Sequence, residues 1–293
     1  MRFSKYHGTG NDFVMIEDVA DKVELSSELV ALLCDRHKGI GADGLIRIAP
    51  SQEADFFMDY WNADGATAEM CGNGIRCLAK YVYDRGLTSK TELSVDTRDG
   101  IKSLWLDVEG GEMRTVRVDM GVPSLTRGVI PMRGPEGERF VGAPFPEAGP
   151  EYSATAVSMG NPHLVLLGAK DLAELDLRRI GPPLEHHPDF PERTNVEFIQ
   201  VSGGGDLIRV RVWERGVGET MACGTGACAT LVAATELGLV DRKARVKFPG
   251  GLLELEWAED DHVYLTGPAT YVFDGDGAPD WAFTAKTGFG AKA

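Results

Sequence analysis

The chain has 293 residues, enough for two domains of ordinary size with cores that need no disulfide staples. Its 43% hydrophobic and 26% charged residues are globular values, and 30 Lys and Arg against 45 Asp and Glu leave a formal net charge of −15. That charge repels nucleic acid and anionic lipid, so neither is an expected partner. The start, Met1 to Gly8, lacks the apolar run of a signal peptide, and no stretch approaches the roughly 18 apolar residues of a membrane-spanning helix. The expected location is therefore the cytoplasm. Five cysteines, an odd number, point to reduced thiols rather than a disulfide framework.

In chain order, Ser26 to His37 reads as a helix with a serine cap and Gly39 just past its end. Phe56 to Trp61 reads as a strand, and Ile75, Leu78, Ala79 and Val82 form a helical stripe that closes at Gly86. Short strands are predicted over Glu92–Thr97, Ile101–Asp107 and Arg114–Met120. The Pro- and Gly-rich stretch from Pro131 to Pro150 reads as a long surface excursion. Leu207 to Trp213 alternates like a half-buried strand, and Ala227, Leu231, Ala234 and Leu237 repeat the helical stripe up to Gly238. Further strands are predicted over Ala244–Lys247, Leu252–Trp257 and Val263–Thr266, and Gly275 to Ala293 reads as an extension outside the core.

The two strand–helix passages are copies. Trp61 precedes Cys71 by ten residues, as Trp213 precedes Cys223, and each Cys opens a Cys-Gly-(Asn/Thr)-Gly turn at an offset of 152. Upstream, Gly10-Asn11-Asp12 is echoed by Gly160-Asn161-Pro162. A cysteine at a helix N-terminus feels the positive end of the macrodipole, which predicts a lowered pKa and partial thiolate for both thiols. The amides of each first turn form an anion site suited to a carboxylate. Two such turns facing a shared cleft would let one thiol take a proton from a carbon while the other returns one to the opposite face, which is the requirement of a racemase or epimerase. Cys34, Cys77 and Cys228 lie within helical patterns and are expected in the core. No cysteine or histidine spacing matches a metal site, and none is expected.

The motifs that carry this chemistry resemble the diaminopimelate epimerases. They are His7-Gly8-Thr9-Gly10-Asn11-Asp12-Phe13, Trp61-Asn62-Ala63-Asp64-Gly65, Cys71-Gly72-Asn73-Gly74-Ile75-Arg76-Cys77, Met159-Gly160-Asn161-Pro162-His163, Glu192-Arg193-Thr194-Asn195 and Glu214-Arg215-Gly216 leading to Cys223-Gly224-Thr225-Gly226. The resemblance implies two pseudo-symmetric α/β domains of the α+β type, each a mixed, mostly antiparallel sheet wrapped around a central helix, with the active site in the cleft between them. The expected boundaries are residues 1–120, joined by the strand 267–275, then 121–266, with 276–293 as an extension. It implies Cys71 and Cys223 as proton donor and acceptor, and Gly72, Asn73, Gly224 and Thr225 at the α-carboxylate. Asn11, Asn62, Asn161, Asn195, Glu214 and Arg215 are implied to bind the rest of the substrate, and His163 and Glu214 to tune the thiols. The implied activity is cofactor-independent epimerisation of LL-2,6-diaminopimelate to its meso isomer, in lysine and peptidoglycan precursor synthesis, by a homodimer. The chain departs from some relatives at Gly44, where they carry Gln, and at Phe273, where they carry a Tyr linked to dimer contacts. A proline or hydroxyproline racemase, or another amino-acid racemase of the same superfamily, is the alternative. Against it stand Asn73, where those enzymes typically have His, and the Glu214–Arg215 pair, for which such substrates offer no partner.

Overall fold

Strands dominate the computed structural model, which describes residues 2–168, 171–202 and 204–277. In chain order they are β1 (Arg2–Gly8), β2 (Asn11–Glu17), helix α1 (Ser27–Cys34), β3 (Gly44–Ala49), β4 (Phe56–Asn62), α2 (Gly72–Asp84), β5 (Glu92–Thr97), β6 (Gly100–Glu109) and β7 (Glu112–Asp119). There follow β8 (Ala143–Pro144), β9 (Ser153–Ser158), β10 (Pro162–Leu167), α3 (Leu177–Glu185), β11 (Asn195–Ser202), β12 (Leu207–Glu214) and β13 (Gly218–Thr220). The chain closes with α4 (Gly224–Glu236), β14 (Lys243–Phe248), β15 (Gly251–Trp257), β16 (Val263–Gly267) and β17 (Thr270–Asp276). It divides into two compact units, Met1–Val116 with Pro268–Ala293, and Arg117–Gly267.

The duplication in the sequence is a duplication of topology. In the first unit β1–β2 is antiparallel, β2–β3 parallel, β3–β4 antiparallel, β4–β5 parallel and β5–β6 antiparallel. In the second unit β9–β10, β10–β11, β11–β12, β12–β14 and β14–β15 repeat that alternation pair for pair. Each parallel step needs a crossover, and α1 and α2 in one unit and α3 and α4 in the other supply it.

The second crossover helix of each unit is the centre of its core. In α2 every residue from Gly72 to Val82 is buried, and α4 is buried along most of its length, packed against β9, β10, β11, β12, β14, β15 and β16. A helix enclosed on all sides must be built of small and apolar residues, and Ala227, Ala229, Ala233 and Ala234 let the sheet approach closely. In α2 the buried exceptions are Asn73, Lys80 and Arg76, the last fully buried with its guanidinium donating to Gly72 O, Thr9 Oγ1 and Pro268 O at 2.9, 3.1 and 3.2 Å.

Three expectations need correction. Helix α1 ends at Cys34 rather than His37, because Asp35 turns into extended backbone and its Oδ1 accepts from the amides of His37 and Lys38 at 2.7 and 2.9 Å. The stretch Pro131–Pro150 is not wholly on the surface, since Met132 and Phe145 are buried in the core of the second unit with Tyr152 and Phe198. Strand β17 runs through Gly275 to Asp276, with Gly275 paired to Phe3. The rest of the predicted extension, 278–293, lies outside the described residues. Sequence periodicity also missed α3, whose interior holds Pro182 and Pro183.

Candidate active site

Each predicted thiol caps its central helix. Cys71 has extended backbone (φ −139°, ψ 116°) and its Sγ accepts from the Gly74 amide at 3.4 Å; Cys223 (φ −126°, ψ 122°) accepts from the Gly226 amide at the same distance. The sulfur thus takes the position of a serine or aspartate cap. The first-turn amides of a helix have no carbonyl one turn earlier to accept from them, so the turns at Gly72-Asn73 and Gly224-Thr225 present donors to an anion.

Beside Cys71 stands Asn11, whose Nδ2 donates to the Asp43 carboxylate at 2.8 Å. Asn11 Oδ1 lies 3.8 Å from the sulfur and accepts from Asn73 Nδ2 at 3.1 Å. Asn62, at the end of β4, accepts from the Tyr60 hydroxyl at 2.9 Å. At Gly44 an added Cβ would lie 2.8 Å from the Tyr60 ring and 2.7 Å from Trp61 O, so the ring occupies the space a longer residue would need. Tyr60 and Asn62 stand two residues apart on β4, so strand alternation puts both side chains on one face, and the pairing of Asn62 with Gly44 sets the Tyr60 ring against that glycine.

Around Cys223 the neighbours are ionisable. Glu214, at the end of β12, accepts hydrogen bonds from the Thr220 hydroxyl and from the Cys223 thiol. Burial of its carboxyl raises Glu214 above its usual 4.5. Thr225 Oγ1 lies 3.5 Å from Cys223 Sγ and accepts from Asn161 Nδ2 at 3.4 Å. His163, fully buried, bonds through Nδ1 to Glu197 Oε1 at 2.7 Å and through Nε2 to the Asn161 carboxamide at 3.0 Å. Asn195 donates to Pro162 O at 3.0 Å and accepts from the Arg215 amide at 2.9 Å, while the exposed Arg215 guanidinium reaches Glu192 O at 3.1 Å. In the second unit the structure therefore brings Asn161, His163, Glu214, Thr225 and Cys223 into one network, with Asn195 and Arg215 joined beside it. In the first it brings together Asn11, Asn73 and Cys71.

The expectation that both thiols are partly ionised is overturned for Cys223. Burial, reinforced by the carboxylates of Glu214 and Glu197, pushes this thiol well above its usual 9.0, and the helix terminus and the bonds from Thr225 and Gly226 do not offset that. The dipole argument is local, whereas desolvation and the two carboxylates come from β11 and β12. Glu197 carried no expectation; its signal in the sequence is a lone acid inside the apolar run Val196–Ile199. Among the described residues no three His, Cys, Asp or Glu side chains are grouped as a metal site requires.

Two units with the same strand order, each with a thiol capping its central helix, define a duplicated α/β fold. A phenazine biosynthesis protein of the PhzF family from Bacillus anthracis matches the fold with a TM-score of 0.67 at 15% identity, covering 95% of this chain and 99% of its own. A probable proline racemase from Agrobacterium radiobacter has the same score and identity over 95% and 93%. At such identity the likeness is one of fold.

This chain belongs to the diaminopimelate epimerase family, which it matches over residues 3–126 and 155–272. It is 50% identical over 277 residues to the diaminopimelate epimerase of Acetivibrio thermocellus, covering 94% of this chain and 98% of that one. To the diaminopimelate epimerase of Methanococcus maripaludis it is 47% identical over 277 residues, covering 94% and 99%.

Proposed function

We infer that this protein is an isomerase that converts LL-2,6-diaminopimelate to the meso isomer, a step of lysine biosynthesis, by proton transfer between two cysteines without a cofactor. The observation that carries the reading is the repeated Cys-capped helix in a chain half identical to enzymes of that name.

Inversion at an α-carbon needs a base on one face and an acid on the other, with the carboxylate stabilised as it becomes enediolate-like. Cys71 and Cys223 are the pair, and the turns Gly72-Asn73 and Gly224-Thr225 hold that carboxylate. Asn11, Asn62, Asn161 and Asn195 position the amino groups and the distal end, Glu214 meets an ammonium, and Arg215 takes the distal carboxylate. His163 and Glu214 tune the thiols. With its proton held by burial and by two carboxylates, Cys223 is poised to donate, and abstraction then falls to Cys71. The reverse direction exchanges the roles. Among the described residues no helix is long and apolar enough to cross a membrane. We place the enzyme in the cytoplasm as a homodimer.

Proton NMR of the protein with LL-2,6-diaminopimelate in D₂O under reducing conditions tests the reading, with L-proline and L-glutamate alongside. Deuterium at an α-carbon together with the meso isomer is expected. Exchange on proline alone would move the substrate, and no exchange on any of the three would refute the function. Cys71→Ala and Cys223→Ala are each expected to abolish epimerisation, and full activity in either would refute the two-thiol mechanism.

A further inference from the structure

The strand registers allow the two units to be compared position by position. Leu45 pairs with Trp61 as Val196 pairs with Trp213, so the next residues, Ile46 and Glu197, correspond. On the neighbouring strand Phe13 pairs with Gly44 as His163 pairs with Asn195, so Phe13 and His163 correspond. All four side chains are fully buried. The central helices confirm the match: a Cβ on Gly74 would lie 2.7 Å from Ile46 Cδ1, and one on Gly226 would lie 2.7 Å from Glu197 Oε1. The same layer beneath the same capped turn is hydrocarbon in one unit and a carboxylate–imidazole pair in the other.

The pair is an expensive choice for a fold. A buried hydrogen-bonded polar pair is commonly no more stabilising than apolar residues of similar volume. Here Glu197 Oε2 is fully buried and has no hydrogen-bond partner among the described residues. The first unit builds the equivalent layer from Phe13 and Ile46, so the topology does not require the polar pair. A local rule broken at a cost, beside a reactive thiol, points to the reaction.

The bonds lead there. His163 Nδ1 lies 2.7 Å from Glu197 Oε1 and Nε2 lies 3.0 Å from Asn161 Oδ1, so the ring is held between the two side chains. Asn161 Nδ2 donates to Thr225 Oγ1 at 3.4 Å, and that oxygen stands 3.5 Å from Cys223 Sγ. We propose that Glu197 is a positioning residue for the second half-site, acting through His163 and Asn161 to hold the Thr225 turn and the Cys223 thiol in line for proton transfer. The proposal rests on the two-thiol mechanism above. It makes the duplicated cradles chemically unequal: Asn161 in the half-site of Cys223 is held by the buried His163–Glu197 pair, whereas Asn11 in that of Cys71 is held by Asp43, over a layer of hydrocarbon.

The test transplants the apolar pair of the first unit into the second. The double variant His163→Phe/Glu197→Ile is expected to melt no lower than the parent, and to epimerise about 100-fold more slowly, as misplacement of a reacting group by about an ångström does. Glu197→Gln, which keeps an acceptor for Nδ1, is expected to restore the rate to within about 10-fold of the parent. In D₂O, in the direction in which Cys223 delivers the new proton, deuterium entering recovered substrate should rise about 10-fold relative to deuterium in the inverted product. That ratio should stay unchanged in the opposite direction. Parental turnover in the double variant, a slower rate with unchanged ratios, or failure of the double variant to fold each overturns the proposal. Cys223→Ala run alongside separates the two readings: if that variant still epimerises, the two-thiol mechanism itself has failed.

Discussion

Substituting alanine at the two equivalent helix glycines is a controlled comparison of the two cradles. Both Gly74 and Gly226 occupy the third position of a Cys-capped helix, and both donate their amide to the capping sulfur at 3.4 Å. The gain in helix propensity from Gly to Ala, about 1 kcal/mol at most, is common to both and cancels in the difference. What remains is the neighbourhood of the new methyl. At Gly74 it meets Ile46 Cδ1 at 2.7 Å and Met58 Cε at 3.0 Å, the free ends of flexible apolar chains that can turn aside. At Gly226 it meets Glu197 Oε1 at 2.7 Å, with Cys223 Cβ and Sγ at 3.2 and 3.3 Å. That carboxylate is bound to His163 and cannot retreat without breaking a buried bond. Overpacking of this kind costs about 1–3 kcal/mol, and for domains of this size each kcal/mol moves a melting midpoint by about 2–4 °C. Gly226→Ala is therefore expected to melt roughly 2–12 °C below Gly74→Ala in calorimetry of the whole chain. Equal midpoints, or the reverse order, would refute the claim that the two layers differ in rigidity.

Three other outcomes follow from the same geometry. Alkylation of Cys223 by iodoacetamide, followed by peptide mass spectrometry, should still be accelerating above about pH 10, where an ordinary thiol is nearly all thiolate and has levelled off, because burial and the Glu214 and Glu197 carboxylates hold its proton; a plateau near neutrality would restore the simple dipole argument. Glu214→Gln should raise thermal stability at neutral and alkaline pH. A carboxyl whose pKa is raised on folding contributes stability while protonated and loses it as pH rises through the folded value, so the gain should vanish below the usual 4.5, where both states are protonated; a gain at pH 4 as large as at pH 8 would contradict this. Arg76→Met should destabilise the first unit by roughly 2–5 kcal/mol, since it strands Thr9 Oγ1 and the Gly72 and Pro268 carbonyls without their donor. A melting midpoint unchanged from the parent would show that those oxygens find other donors.

The sequence by itself determined what depends on neighbours along the chain. The two capped helices were legible because a cap, a glycine turn and a periodic stripe lie within a few residues of one another, and Gly86 and Gly238 mark both ends with φ of 72° and 68°. The duplication was legible because two landmarks recur at nearly constant offset, and the motifs around Cys71 and Cys223 carried the family. Proline defeated the same reasoning at α3, and an aspartate turn shortened α1. Only the tertiary structure decided the state of the Cys223 thiol. The properties of Cys223 are set by Glu214 and Glu197 on strands β12 and β11, and by the exclusion of water around α4, none of which is encoded within a helical turn of the cysteine. The pairing of β11 with β10 places Glu197 under His163, and no local pattern announces that register. Two turns of almost identical sequence thus stand over unlike buried layers, Ile46 under one and Glu197 under the other, because packing acts through space while caps and periodicity act along the chain.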